Sequence, residues 1–162
     1  MPGRPSGNGN HVGLAPPDEP VRAEYEHDLY SWSNEQARLV REGRWREVDR
    51  VNLAEEIESL GRTEFNRLES TLRVLLLHML KWDHQPRKRT RSWLLSVEAQ
   101  RLEAQDVMAD NPGLKPRIGE ALTRAYRKAR IEAAKETGLD LKKFPSECCY
   151  SFNEAMERAL KP

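Results

Sequence analysis

Apolar residues return every three to four positions through most of this chain, and no segment sustains the every-second-residue alternation of a half-buried strand. Tyr25, Leu29, Trp32, Gln36, Leu39 and Val40 fall on one helical face, and Gly43 supplies a C-terminal stop. Trp45, Val48, Leu53, Ile57 and Leu60 continue the period as a second inward stripe, with Asp49 as a cap near its start and Gly61 as its end. Leu68, Leu72, Leu75, Leu76 and Met79 mark a third helix over about 62–83, whose 74–80 stretch is apolar on almost every side except at His78. A helix apolar all round belongs at the centre of a core.

His84-Gln85-Pro86 ends that helix, because the residue before proline avoids the helical well. Thr90 or Ser92 can cap a fourth helix with Trp93, Val97, Gln100, Ala104, Val107 and Met108 facing inward, and Asn111-Pro112-Gly113 breaks it. A fifth helix over about 115–137 presents Ile118, Leu122, Ala125, Ala129 and Ala133, a small-residue seam that permits close approach, and Gly138-Leu139 reads as a Schellman ending. After an irregular 139–150 connection, Ser151 and Glu154 fit a capping box that opens a last short helix. The pattern predicts an all-α, single-domain helical bundle of about five main helices plus a short C-terminal helix. Residues 1–20, with five of the ten prolines and four of the nine glycines, read as a flexible tail, which leaves 21–162 as the folded domain.

The length of 162 residues suits one core, and 38% hydrophobic residues suffice to build it. No apolar run approaches the roughly 20 residues of a membrane span, and the N-terminus lacks the apolar core of a secretory leader. The two cysteines, Cys148 and Cys149, are adjacent, which suits neither a disulfide framework nor a four-ligand zinc site. These features give the expectation of a reduced, cytoplasmic protein with no membrane partner. Charge nearly cancels, 27 Lys plus Arg against 26 Asp plus Glu, yet it is distributed in blocks. Residues 18–69 hold 14 acids and 8 bases, 70–91 hold 6 bases and the single acid Asp83, and 111–143 are again basic. Such blocks favour pairing within a bundle or across a homodimer over general polyanion binding.

Residue combinations along the whole length add a resemblance. Tyr25, Asp28 and Trp32 precede Ala54-Glu55-Glu56-Ile57-Glu58-Ser59-Leu60-Gly61, and Leu77-His78-Met79-Leu80-Lys81-Trp82 is followed by Gln85-Pro86 and Arg91-Ser92-Trp93. Gln100-Arg101, Asn111-Pro112, Leu114, Ala125-Tyr126, Ala129-Arg130, Glu136-Thr137-Gly138-Leu139, Phe144-Pro145 and Glu147-Cys148 complete the set. Over roughly 22–160 the chain resembles the bacterial "domain of unknown function 29" family. The resemblance implies a small all-helical bacterial protein and no particular reaction. One departure is Cys149, where the family pattern usually has proline, so the rigidity of a proline is missing there.

Candidate chemistry is sparse. Glu55, Glu56 and Glu58 are weak metal candidates, because paired carboxylates on bundle helices can hold magnesium, but with Leu53, Ile57 and Leu60 inward only Glu56 flanks the core. His78 reads as a structural imidazole that donates to a carbonyl or to a carboxylate such as Glu56. Cys149 precedes a helix start, which can activate a thiol, yet a packing role suits both cysteines better. The strongest constellation is Lys81, Arg87, Lys88, Arg89 and Arg91 in one interhelical loop, flanked by Trp82 and Trp93. Its cations suit an anionic partner, either nucleic acid or an acidic protein surface, or else pair internally with the acidic 47–69 stretch; the two indoles are expected to be core residues. Arg124, Arg127, Lys128 and Arg130 on the fifth helix could extend the patch, but most of these positions circle the helix rather than line one face. The reading is a non-enzymatic binding module that calls for no cofactor. A metal-dependent nucleotide hydrolase built on Glu55, Glu56 and Glu58 and a purely structural dimerisation domain are the alternatives.

Overall fold

Helix α1 spans Leu29–Arg41 and α2 Arg50–His84. They are followed by α3, Arg91–Asp110, α4, Ile118–Thr137, and α5, Phe152–Glu157. The computed structural model describes residues 25–161; the predicted 1–20 tail lies outside them. Among the described residues there is no strand, and the only other regular pieces are 3-10 turns at Pro86–Lys88, Pro112–Arg117 and Leu141–Lys143. The all-α expectation holds. The chain forms two compact units that divide between Ala54 and Glu55.

In the first unit, Asp28 caps α1 by accepting the Ser31 N–H at 2.9 Å, and Trp32, Gln36 and Leu39 turn inward. Asp49 does the rest of the local work. It accepts from the Trp32 indole at 3.3 Å and from the Asn52 side chain at 2.7 Å, while its own N–H donates to Gln36 Oε1 at 2.8 Å. The Asn52 N–H reaches Asp49 Oδ1 at 3.3 Å, so Asp49 is the expected cap of α2. Gly43, at φ 70°, ends α1 as predicted. Trp45, placed inward by the sequence pattern, is 63% exposed.

The main correction concerns Gly61. The second and third helices of the sequence reading are one 35-residue helix, and Gly61 lies inside it with a negative φ and open space around its Cα. Glycine costs a helix interior only about 1 kcal/mol, which the buried row from Phe65 to Trp82 easily outweighs. The stripe of Ile57 and Leu60 is exposed, not inward. The reason is the length of its neighbour: α3 ends at Asp110, and Asn111 already meets Glu64 at 3.0 Å, so residues 55–63 of α2 run past the end of α3.

Ion pairs fix the directions of the three long helices in the second unit. Arg67 meets Glu103 at 2.7 Å and Glu64 meets Asn111, so α2 and α3 are antiparallel. Glu69 meets Arg124, Arg73 meets Glu132 and Lys81 meets Glu136, so α2 and α4 run parallel. The core lies between them. Leu68, Leu72, Leu75, Leu76, Met79 and Leu80 of α2 have no exposed surface, and Val97 and Val107 of α3 face them. Of the seam that the sequence predicts on α4, Leu122, Ala125, Ala129 and Ala133 are buried and Ile118 half-buried, and Ala121, outside that prediction, is fully buried beside them. Gly138 at φ 70° ends α4, and the Ser151–Glu154 capping box starts α5. Arg101, 7% exposed, ties α5 to α3 by donating to the carbonyls of Ala155 at 3.0 Å and Arg158 at 2.7 Å.

Candidate functional site: the basic turn between α2 and α3

The last turn of α2 is pinned from several sides. The Lys81 ammonium is 2.6 Å from Glu136 of α4 and 4.6 Å from the Trp93 ring centroid, which makes it one of the few buried lysines that physics allows. Asp83 accepts from the Tyr150 hydroxyl at 2.7 Å and pairs with Arg158 at 2.7 Å. Burial, reinforced by the Asp83 contact, pushes the Tyr150 phenol well above its ordinary pKa, so it stays protonated and keeps donating. The turn that follows is fixed by Gln85, whose amide donates to the Thr137 carbonyl at 3.1 Å. Arg89 donates to the Trp82 carbonyl at 3.1 Å and to the Lys161 carbonyl at 3.3 Å, and its guanidinium lies 5.0 Å from the Trp82 ring centroid. Of the two candidate caps Thr90 is the one used; its hydroxyl accepts the Trp93 N–H at 3.2 Å.

The five cations therefore separate into two groups. Lys81 and Arg89 are consumed inside the fold, through Glu136, backbone carbonyls and indole faces, and not through the acidic 47–69 stretch. Arg87, Lys88 and Arg91 are exposed and have no carboxylate partner among the described residues. Trp82 is 3% exposed and Trp93 half-buried against the core, and each indole lies beside one of the two internal cations.

The remaining sequence candidates do not assemble. Glu55 and Glu58 are exposed, Glu58 pairs with Arg62 at 3.5 Å, and Glu56 is half-buried and engaged elsewhere. Among the described residues no three His, Cys, Asp or Glu side chains come close enough to hold a metal ion. The proposed bond between His78 and Glu56 is excluded by the continuity of α2, since 22 residues of helix separate them by about 33 Å. His78 Nδ1 is buried with no hydrogen-bond partner. The Cys148 thiol donates to the Tyr150 carbonyl at 3.3 Å, and burial raises its pKa, opposite to what a reactive thiolate needs. Cys149 is exposed.

Sequence reasoning missed the buried carboxylate of Glu69, whose residue is 3% exposed. Lys128 donates to its Oε1, while Arg124 sits 2.8 Å from Oε2 at an angle that makes no hydrogen bond, leaving that oxygen a charge partner but no donor. Arg124, Arg127 and Lys128 stand at i, i+3 and i+4 and share a face of α4 with Ile131 at i+7, a spacing visible in the sequence, while Arg130 at i+6 lies off that row and turns to the Phe144 and Leu141 carbonyls. No curated protein and no solved structure matches the chain. The model of one family, described as "Domain of unknown function DUF29", matches residues 24–160, and a match over that much of the sequence places this chain in that family.

Proposed function

We propose that the chain is a binding module, not a catalyst, and that Arg87, Lys88 and Arg91 dock an acidic protein surface. The observation that carries this is a cluster of unpaired charge: Arg87, Lys88 and Arg91 lie within five residues, exposed and facing no carboxylate among the described residues, whereas Arg67, Arg73, Lys81, Arg101, Arg117, Arg124, Lys128 and Arg158 each face one. Lys115, Arg127, Lys135, Lys142 and Lys143 are also exposed and unpaired among the described residues, but no three of them fall within one turn. The backbone that presents them is held by Gln85 and Arg89, so little ordering is needed on binding. Trp82 is buried, and Trp93 is half-buried with Lys81 over its ring, so the turn offers little indole surface for base stacking, which favours a protein over a nucleic acid.

Exposed charge pairs contribute roughly 0.2–1 kcal/mol each, so three together amount to about a tenfold change in affinity. Fluorescence anisotropy with a labelled poly-glutamate peptide is the test, run beside a labelled oligo-dT strand. Arg87→Ala, Lys88→Ala and Arg91→Ala combined are expected to weaken peptide binding about tenfold with an unchanged helical circular-dichroism spectrum, and raised salt to weaken the wild type similarly. Equal binding by the triple variant, or binding of the oligonucleotide in preference to the peptide, overturns the reading.

A further inference from the structure

A groove of about 430 Å3 runs along the outer face of α4 where the Leu141–Lys143 turn folds back beside it. Arg124, Arg127, Lys128 and Arg130 line it together with Ile131 and Leu141, and Ser146 adds a hydroxyl. The volume is within the range of about 300–1,000 Å3 typical of small-molecule sites. We propose that this groove binds a phosphate monoester carrying an apolar body, at a site separate from the basic turn.

The cations are held in place and only partly neutralised. Glu69, buried beneath them, accepts one ammonium proton of Lys128 and lies 2.8 Å from Arg124 Nε as a charge partner without a hydrogen bond, and the Arg124 guanidinium also lies 5.2 Å from the centroid of the buried Phe65 ring. Arg130 spends Nε on the Phe144 carbonyl and Nη2 on the Leu141 carbonyl, both at 3.1 Å; these neutral acceptors leave its charge intact and its Nη1 unused. Arg127 is exposed and has no carboxylate partner among the described residues. Against four cations stand Glu69 and Glu120, the latter 3.5 Å from Arg124 and shared with Arg117 at 2.9 Å, so the groove keeps a positive excess.

Two further properties select the ligand. The remaining donors come from separate side chains in several directions, which suits the three terminal oxygens and the charge of about −1.5 to −2 of a phosphate monoester better than a planar carboxylate. Ile131 is 62% exposed and Leu141 38% exposed on the same groove, apolar surface that inorganic phosphate would leave wet and an attached apolar body would cover. The same chemistry occurs in a free metabolite-sized ester and in the headgroup of a phosphatidic-acid lipid. The concave shape takes the free form.

The test is isothermal titration of the full chain with 1-naphthyl phosphate, inorganic phosphate and 1-naphthol. Vesicles of phosphatidylcholine with and without phosphatidic acid form a separate arm. The expected result is 1-naphthyl phosphate binding at least about tenfold tighter than either fragment. Arg127→Ala and Ile131→Asn should each weaken it fivefold or more, and both side chains are exposed enough for the fold to survive their loss. The triple variant at Arg87, Lys88 and Arg91 should bind normally, which separates this site from the basic turn. Binding unchanged in both groove variants, no binding of 1-naphthyl phosphate, loss of binding in the triple variant, or capture by phosphatidic-acid vesicles alone would each overturn the proposal.

Discussion

His78 brings an imidazole into the most apolar stretch of α2, and its buried Nδ1 has no hydrogen-bond partner there. Burial, followed by the nearby Lys81 charge, holds its pKa below the ordinary value of 6.5, with Glu136 opposing weakly. The unfolded chain then binds a proton more readily than the folded one, so the group's contribution is fully present above about pH 6.5 and is lost as pH falls through the lower folded value. The wild type is expected to lose stability between pH 7.5 and 5.5 in urea titrations, and His78→Leu to lose most of that slope. Asp49, Glu42 and Glu154 are also held below their ordinary pKa, by Asn52, by Arg44 and by the Ser151 backbone respectively, but they destabilise only in a more acidic window, so they do not mimic the effect. An unchanged slope in His78→Leu would remove His78 as the cause. From the sequence, the apolar neighbours of His78 were legible but its lack of a partner was not. The position of a partner depends on which helices continue, and Gly61 misdirected that reading.

At the scale of elements, local chemistry was most legible where a residue has one conformational use. Gly43 and Gly138 both adopt φ 70° at helix ends, and the Ser151–Glu154 box and the alanine seam of α4 also follow from their residue types. Gly61 is ambiguous in the sequence, because a glycine inside a helix and one at its end look alike without knowledge of what is packed nearby. The two glycines give opposite predictions. Gly61→Ala enters open space at a helical φ, so it should stabilise by about 0.5–1 kcal/mol by restricting the unfolded chain. Gly138→Ala is forced into a left-handed conformation and should destabilise by about 1 kcal/mol or more. Paired urea unfolding curves check both signs; destabilisation by Gly61→Ala would mean that α2 breaks there. The basic turn was legible as a cluster, and its division into two bound and three exposed cations was not, since Glu136 is 55 residues from Lys81 in sequence.

For the whole molecule, the nearly balanced 27 and 26 charges include pairs between facing helices, as in the row from Glu69 through Arg73 to Lys81 along α4. Those pairs set helix direction more than stability: Arg73–Glu132 is part-exposed and contributes little, while Glu69 and Lys81 are buried and their partners chiefly offset the cost of burying a charge. Stability rests on apolar burial, and that is unevenly distributed. The connected core consists of residues from Phe65 to Leu160, whereas the first unit buries Trp32, Leu39 and Val48 around the Asp49 hydrogen bonds. Amide exchange should follow this division, since local opening costs least where few apolar side chains are buried. Amides of α1 are expected to exchange through openings of lower free energy than those of residues 72–80. Leu76, fully buried, costs roughly 2–5 kcal/mol when cut to alanine, which should accelerate exchange at 72–80 by about thirtyfold to a few thousandfold under conditions of global opening. Trp32→Ala should accelerate α1 and leave 72–80 near the wild-type rate. Equal protection of α1 and of 72–80 in the wild type, or equal acceleration of both by Trp32→Ala, would mean that the chain opens as one cooperative unit and that the core from Phe65 to Leu160 does not by itself set the stability of α2.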